Sequence, residues 1–232
     1  MRLANNRPSG HAVGAMARPA AVTLCMSLIV ASLLATQSGC LGLAANLIHA
    51  AGGDKAPAAY EGLEESRVAV VTLTENSQFS DDPSARILGR NVTQLLKQQI
   101  KDIEIVREDK IANWRDTHGW DQLEFAEIGR GVDADKVLAI EVANLKLRDG
   151  ATLYRGRADV VITVVDAKTG EQLYRSEMEE FTYPTTAGQY TSETTESRFQ
   201  KLYLGVLAKR VARQFYPYDP RDDFALDSIV AR

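Results

Sequence analysis

From Val68 onward the chain switches repeatedly between two hydrophobic periods. Val68–Leu73 is a short β-branched run, bounded downstream by the polar stretch Glu75–Asp82, which is the pattern of a buried strand. Asp82-Pro83 reads as an N-cap followed by proline at the first helical position. The spacing predicts a helix to about Ile100 that buries Leu88, Val92, Leu95 and Leu96, with Gln99 at the edge of the stripe. Ile103–Val106 is a second strand. Asp109 then caps a short helix, Lys110–Thr117, that stops at Gly119. Asp121 with Glu124 three residues on has capping-box spacing and opens another helix to about Gly129.

Lys136–Leu147 is apolar enough for a central strand. After an Asp149-Gly150 turn, Tyr154–Val165 alternates. Tyr154, Ala158, Val160, Ile162 and Val164 share one face, and Arg155, Arg157, Asp159 and Thr163 the other. Asp166–Gly170 is a hairpin turn, and the return strand runs from about Gln172 to Tyr183, closed by Pro184. A polar loop, Thr185–Thr195, leads into a last helix whose predicted stripe is Phe199, Leu202, Tyr203, Val206, Val211 and Phe215. The fold class expected is therefore α+β: β-α-β-α-α-β-β-β-α, helices on a mixed sheet that ends in an antiparallel three-strand meander.

Upstream the pattern is different. Ala20–Ala35 is an apolar run of 16 residues, preceded by Arg2, Arg7 and Arg18, and the first carboxylate of the chain is Asp54. The run is followed by Gln37-Ser38-Gly39-Cys40, so a basic, an apolar and a small-residue region succeed one another as in an export signal. It is shorter than the roughly 20 residues that span a bilayer. The cysteine after the small residues resembles the lipobox of bacterial lipoproteins, with Gln37 where that motif usually has leucine. The resemblance implies that Cys40 takes a diacylglycerol and becomes the new N-terminus. Two alternatives stand beside it: an uncleaved single-pass helix lengthened by Leu41–Ala51, and an ordinary signal peptide cut near Ala35 or Gly39. The domain plan expected is a signal peptide over 1–39, a lipid-anchored flexible tether over 40–66, the α+β domain over 67–218 and a sparse acidic tail over 219–232.

Composition narrows the function classes. The chain has 232 residues with formal charge −4; removing three leader arginines leaves 24 basic against 31 acidic residues, or −7. An acidic chain is a poor nucleic-acid partner. Of two cysteines, Cys25 lies inside the apolar run, so a processed chain keeps Cys40 alone, with no internal disulfide and no thiolate pair for zinc. His49 and His118 lack the company a catalytic triad needs. Asp82 is accounted for by capping, and Arg155 and Arg157 are expected to face Glu177 or Glu179 across the hairpin. No catalytic, cofactor-binding or metal-binding residue is expected.

The series Val68–Leu73, Ile105–Trp114, Gly129–Val142 and Val160–Glu177 resembles the bacterial envelope lipoproteins built on the CsgG-like and LpoB-like domain, similar also to the N-terminal domain of TolB. The resemblance implies non-enzymatic work as a binding, assembly or accessory subunit of an envelope complex in secretion, transport or cell-wall synthesis. Its partners would be the lipid bilayer, through acylated Cys40, and envelope proteins. Enterobacterial sorting, with Leu41 and not aspartate after the cysteine, implies the outer membrane, facing the periplasm. Pore formation is not expected: Pro184–Thr195 is too short for a barrel hairpin, and the hairpin over 154–183 carries Arg155, Arg157, Arg175 and Glu177. The alternative is an exported enzyme of another type. Phe79 and Tyr190, single aromatics in the polar stretches Glu75–Asp82 and Pro184–Thr195, are the candidate partner contacts.

Overall fold

The computed structural model describes residues 55–78, 82–120 and 124–221. The signal region, Cys40, the tether as far as Asp54, Phe79 and the tail beyond Arg221 therefore lie outside the described residues. The elements are β1 (Arg67–Thr74), a 3-10 turn (Glu75–Gln78), α1 (Pro83–Gln99), β2 (Glu104–Ile105), α2 (Glu108–His118), α3 (Phe125–Gly131), β3 (Lys136–Asp149), β4 (Leu153–Asp166), β5 (Gln172–Tyr183), β6 (Gln189–Tyr190) and α4 (Glu196–Ala212). The sheet order is β2-β1-β3-β4-β5, with β6 pairing the start of β4. β1 is parallel to β2 and β3, and β3, β4 and β5 form the expected antiparallel meander. The fold class is the α+β mixed sheet read from the sequence.

Side chains alternate across the sheet, so the two faces bury different sets. Val68, Leu138, Ile140, Val160 and Ile162 meet α1 and α4 through Leu88, Val92, Leu96, Phe199, Tyr203 and Leu207. Ala69, Val71, Leu73 and Val137 meet Ile111 of α2 and Ile128 of α3 on the other face. The stripe of α4 is offset from expectation: Leu204, Leu207 and Ala208 are buried, while Leu202 and Val206 are only half-buried. Gln99 is exposed.

Tight glycines let these layers close. A Cβ on Gly156 of β4 would stand 2.0 Å from Cδ2 of Tyr203, whose ring is wholly buried. Tyr203 donates to the Phe181 carbonyl at 2.9 Å. Burial, and then the charge of Asp159, push its phenol well above the usual range.

Several expected boundaries move. α1 starts as read, with Asp82 Oδ2 accepting from Ala85 N at 3.2 Å and Pro83 in the first turn. The cap of α2 is Arg107, not Asp109, which falls inside the first turn. α3 begins at Phe125, and Glu124 is its N-cap without a side-chain bond. The stretch over 185–195 is not all loop, since Tyr190 pairs with Leu153 in β6. Arg157 and Arg155 turn to Asp149, at 3.2 and 3.8 Å, because the register sets Arg157 opposite Thr182 and Glu177 opposite Val161, while Glu177 pairs with Arg175 at 2.6 Å on its own strand.

The flexible tether, expected to reach residue 66, is too long at its C-terminal end. Ala56 and Tyr218 exchange backbone hydrogen bonds at 2.8 and 3.1 Å, and Ala59 N and Tyr60 N both donate to the Gln214 carbonyl. Tyr60 stacks on Tyr174 with centroids 5.3 Å apart, and Leu63 is 0% exposed. These residues read as linker because Ala, Gly and Pro surround two isolated apolar side chains with no period. The sheet face and the end of α4 supply what local pattern lacks.

Asp159 of β4 pins a bulge on each side. Its Oδ2 accepts from Asn144 Nδ2 at 2.7 Å and its Oδ1 from Glu180 N at 2.8 Å. Asn144 and Glu180 have φ of 54° and 46°, the left-handed region that non-glycine residues rarely adopt. These bonds, Glu180 N first, hold the Asp159 carboxyl below the usual carboxylate range. The backbone N–H of Thr169 does the same for Asp166 in the hairpin turn, and the hydrogen bond from Lys110 for Asp133. A lowered folded-state pKa contributes stability that is present above the unfolded value and is lost as pH falls through the folded one. The melting temperature is therefore expected to hold from pH 7 to 5 and to fall below about pH 4. Asp159→Asn should melt lower at pH 7 and lose less on acidification, as read by calorimetry at pH 7, 5 and 3.

Candidate functional site

β2 is two residues long, and where it ends a concavity opens beside β1. Glu104 N donates to the Ser66 carbonyl at 3.1 Å and Val106 N to the Val68 carbonyl at 2.9 Å. Arg107 then caps α2, and the chain leaves the sheet. β1 continues to Thr74 without a strand neighbour on that side among the described residues. The even-numbered residues of β1 point their backbone groups outward, since Ser66 and Val68 bond β2 while the Arg67 carbonyl accepts from Asp135 N beside β3. Thr74 N, at the end of the row, is satisfied by Ser77 Oγ at 2.9 Å. Between them the outward N–H and C=O of Val70 and Thr72 have no ladder partner among the described residues.

α1 lies on one side of this edge and α2 on the other, leaving a groove of about 810 Å³. Val70 and Thr72 lie at its base, Ala85, Gly89 and Thr93 on the α1 wall, and Ile111 and Ala112 on the α2 wall. Helix α1 approaches closely enough that a Cβ on Gly89 would stand 2.9 Å from Thr72 Oγ1. That hydroxyl oxygen is buried without a hydrogen-bond partner.

Among the described residues the rim carries Arg86, Arg90, Lys97, Arg107 and Arg115 against Asp82, Glu108 and Asp109, a net +2 on a chain that is acidic as a whole. Arg90 Nε meets Glu108 at 2.6 Å, and Arg107 meets Asp109 at 2.6 Å. Arg115 closes one end. It is buried, donates from Nη2 to the carbonyls of Ser77 at 3.3 Å and Trp120 at 2.8 Å, and lies 4.2 Å over the Trp120 ring. Sequence reasoning passed over Arg115, because a single cation on a polar helix reads as solvated. Ile111 four residues before it, marking the buried side, was the available signal.

A second cleft of about 440 Å³ lies between the ends of β1 and β3 and the start of α4. Two of its charges pair, Arg148 donating to Glu196 Oε2 from Nη2 and Nε at 2.6 and 2.9 Å. His118 is held by its own helix, stacked on Trp114 at 4.2 Å with Nδ1 2.9 Å from the Trp114 carbonyl. Among the described residues no three metal-binding side chains converge. There too, no helix is long and apolar enough to cross a membrane. Tyr190 is 57% exposed, the one large hydrophobic side chain so placed among the described residues. Phe79 and Cys40 fall outside them.

No protein-family model matches the chain, and no curated protein does. Solved structures do resemble it. The PelC dodecamer from Paraburkholderia phytofirmans is 10% identical with TM-score 0.38, over 69% of this chain and 94% of that one. Lipoprotein GNA1162 from Neisseria meningitidis is 11% identical with TM-score 0.41, over 62% and 97%. The LpoB C-terminal domain from Salmonella enterica is 15% identical with TM-score 0.33, over 50% and 84%. Likeness at these values assigns no function.

What the groove can do follows from its own chemistry. It offers backbone donors and acceptors at its base and charged side chains at its rim, and at one end the Thr74 hydroxyl donates to Asp82 Oδ2 at 2.7 Å and lies 3.1 Å from Ser77 Oγ.

Proposed function

We propose that this chain is a lipid-anchored, non-enzymatic binding module of the bacterial envelope, acting as an accessory or assembly subunit. It is tied to the membrane through acylated Cys40 and engages a protein partner through its sheet domain. The observation that carries this reading is the export signal Ala20–Cys40 with its terminal cysteine. Residues 41–54 separate Cys40 from the first described residue of the domain, and 14 residues reach at most about 50 Å. The domain thus stays within a short distance of the membrane that holds it. The resemblance of its strand and turn segments to CsgG-like and LpoB-like lipoproteins supports an envelope complex. Leu41 supports the outer membrane, with the domain in the periplasm. Tyr190 offers an exposed ring for a partner contact, and Phe79 is proposed beside it from sequence alone.

In cells fed a clickable fatty acid, the chain should be labelled, and Cys40→Ser should abolish the label and leave unprocessed precursor. Label retained by Cys40→Ser would remove the anchor from this reading.

A further inference from the structure

We infer that the groove between α1 and α2 takes an extended, acidic polypeptide segment of the partner, which adds to the sheet as a strand in line with β2. The inference rests on the binding-module reading and gives its partner a chemistry. Four observations meet there.

Among the described residues the outward N–H and C=O groups of Val70 and Thr72 have no ladder partner, on a strand whose other edge is laddered to β3. Backbone groups of a strand are obligatory hydrogen-bonding groups, and an exposed row of them is a template for another chain. β2 already begins that row at Ser66 and Val68, so an added strand continues a pairing that the fold has started.

The edge is also recessed. With α1 standing on one face and α2 on the other, a second folded copy cannot bring its own recessed β1 into contact, whereas a single extended chain fits between the walls. Small side chains line the slot, Ala85 and Gly89 on one wall and Ala112 on the other, and the exposed Arg90–Glu108 pair that joins the two walls at 2.6 Å must open to admit the segment. Main-chain pairing gives such a mode its affinity, and side-chain pockets give it selectivity.

Charge selects the occupant. Among the described residues, five cations and three carboxylates line the groove, on a chain with an excess of acid overall. A segment carrying Asp or Glu on its solvent side would meet Lys97 along α1 and would compete with Glu108 for Arg90 and with Asp109 for Arg107. Such contacts steer association and weaken with salt.

The test uses the full chain purified in detergent from its membrane, with phage-displayed random nonapeptides as the probe. Selected peptides should be enriched in Asp and Glu and should bind about tenfold more weakly at 500 mM than at 50 mM salt. Thr72→Pro removes one outward N–H while leaving the β3 ladder, which uses the odd-numbered residues, and proline is tolerated on such an edge. It should weaken the selected peptides about tenfold, the worth of one main-chain hydrogen bond. Ala112→Trp fills the slot from the α2 wall without touching the strand, and should abolish binding even if Thr72→Pro does not fold. No enrichment, peptides free of carboxylates, or peptides that bind Ala112→Trp unchanged would each overturn the inference. Fatty-acid labelling of Cys40 is read separately. Labelled protein that selects no peptide loses the groove and keeps the anchor, and unlabelled protein that selects acidic peptides does the reverse.

Discussion

Gly156→Ala lowers the stability of the domain by about 3 kcal/mol or more, at the upper end of what overpacking a core costs. The added methyl would lie 2.0, 2.3 and 2.5 Å from Cδ2, Cε2 and Cγ of Tyr203, inside any van der Waals contact. Neither partner can move cheaply. β4 is the strand between β3 and β5, hydrogen-bonded on both sides, and Gly156 itself is paired with Tyr183. The Tyr203 ring is fixed at its far end by the Phe181 carbonyl and lies 6.0 Å from the Phe181 ring. Relief therefore requires α4 to lift from the sheet, which uncovers Phe199, Leu204 and Leu207. Denaturant unfolding measures the loss. Adding Tyr203→Leu to Gly156→Ala should recover part of it, giving a double mutant more stable than the sum of the singles. Strict additivity would mean that the two residues do not meet.

The second large effect is at Arg115. Replacing it with methionine keeps the buried stem and removes the guanidinium that links the Ser77 and Trp120 carbonyls. Each buried acceptor left unpaired costs about 1–3 kcal/mol, so a total loss of about 2–4 kcal/mol is expected. Arg115→Lys should recover little. A single ammonium cannot span both carbonyls, and it stacks on Trp120 less well than a planar guanidinium does. Because Arg115 joins the segment after β1 to the segment after α2, these variants should also lose peptide selection at the groove. A lysine variant as stable as the parent would show that only the charge matters.

How far the sequence revealed this molecule depends on whether the signal was local. Tyr154–Val165 shows its two faces because a half-buried strand must alternate, and the structure buries Tyr154, Ala158, Val160, Ile162 and Val164 as read. Asp166–Gly170 was legible because the turn chemistry is internal: Asp166 Oδ1 accepts from Lys168 N and Thr169 N, and Gly170 has φ of 78°. The stripe of α4 was less so. Leu202 and Val206 are as apolar as Leu204 and Leu207, and only the position of the sheet chooses among them. Leu63 and Tyr60 looked like linker for the same reason. The groove had no local signature at all. Val70 and Thr72 belong to an ordinary buried-strand run, and what distinguishes them is that β2 stops after two residues, a fact of pairing and not of pattern.

Amide hydrogen exchange within β1 tests the central claim most directly, because strand addition requires free donors on one edge only. In the free chain, the amides of Val70 and Thr72 should exchange at least about a hundredfold faster than those of Ala69, Val71 and Leu73, which face β3, and a selected acidic peptide should slow only the first two. Uniform protection along Val68–Leu73 in the free chain would mean that the edge is already paired, and would contradict the account.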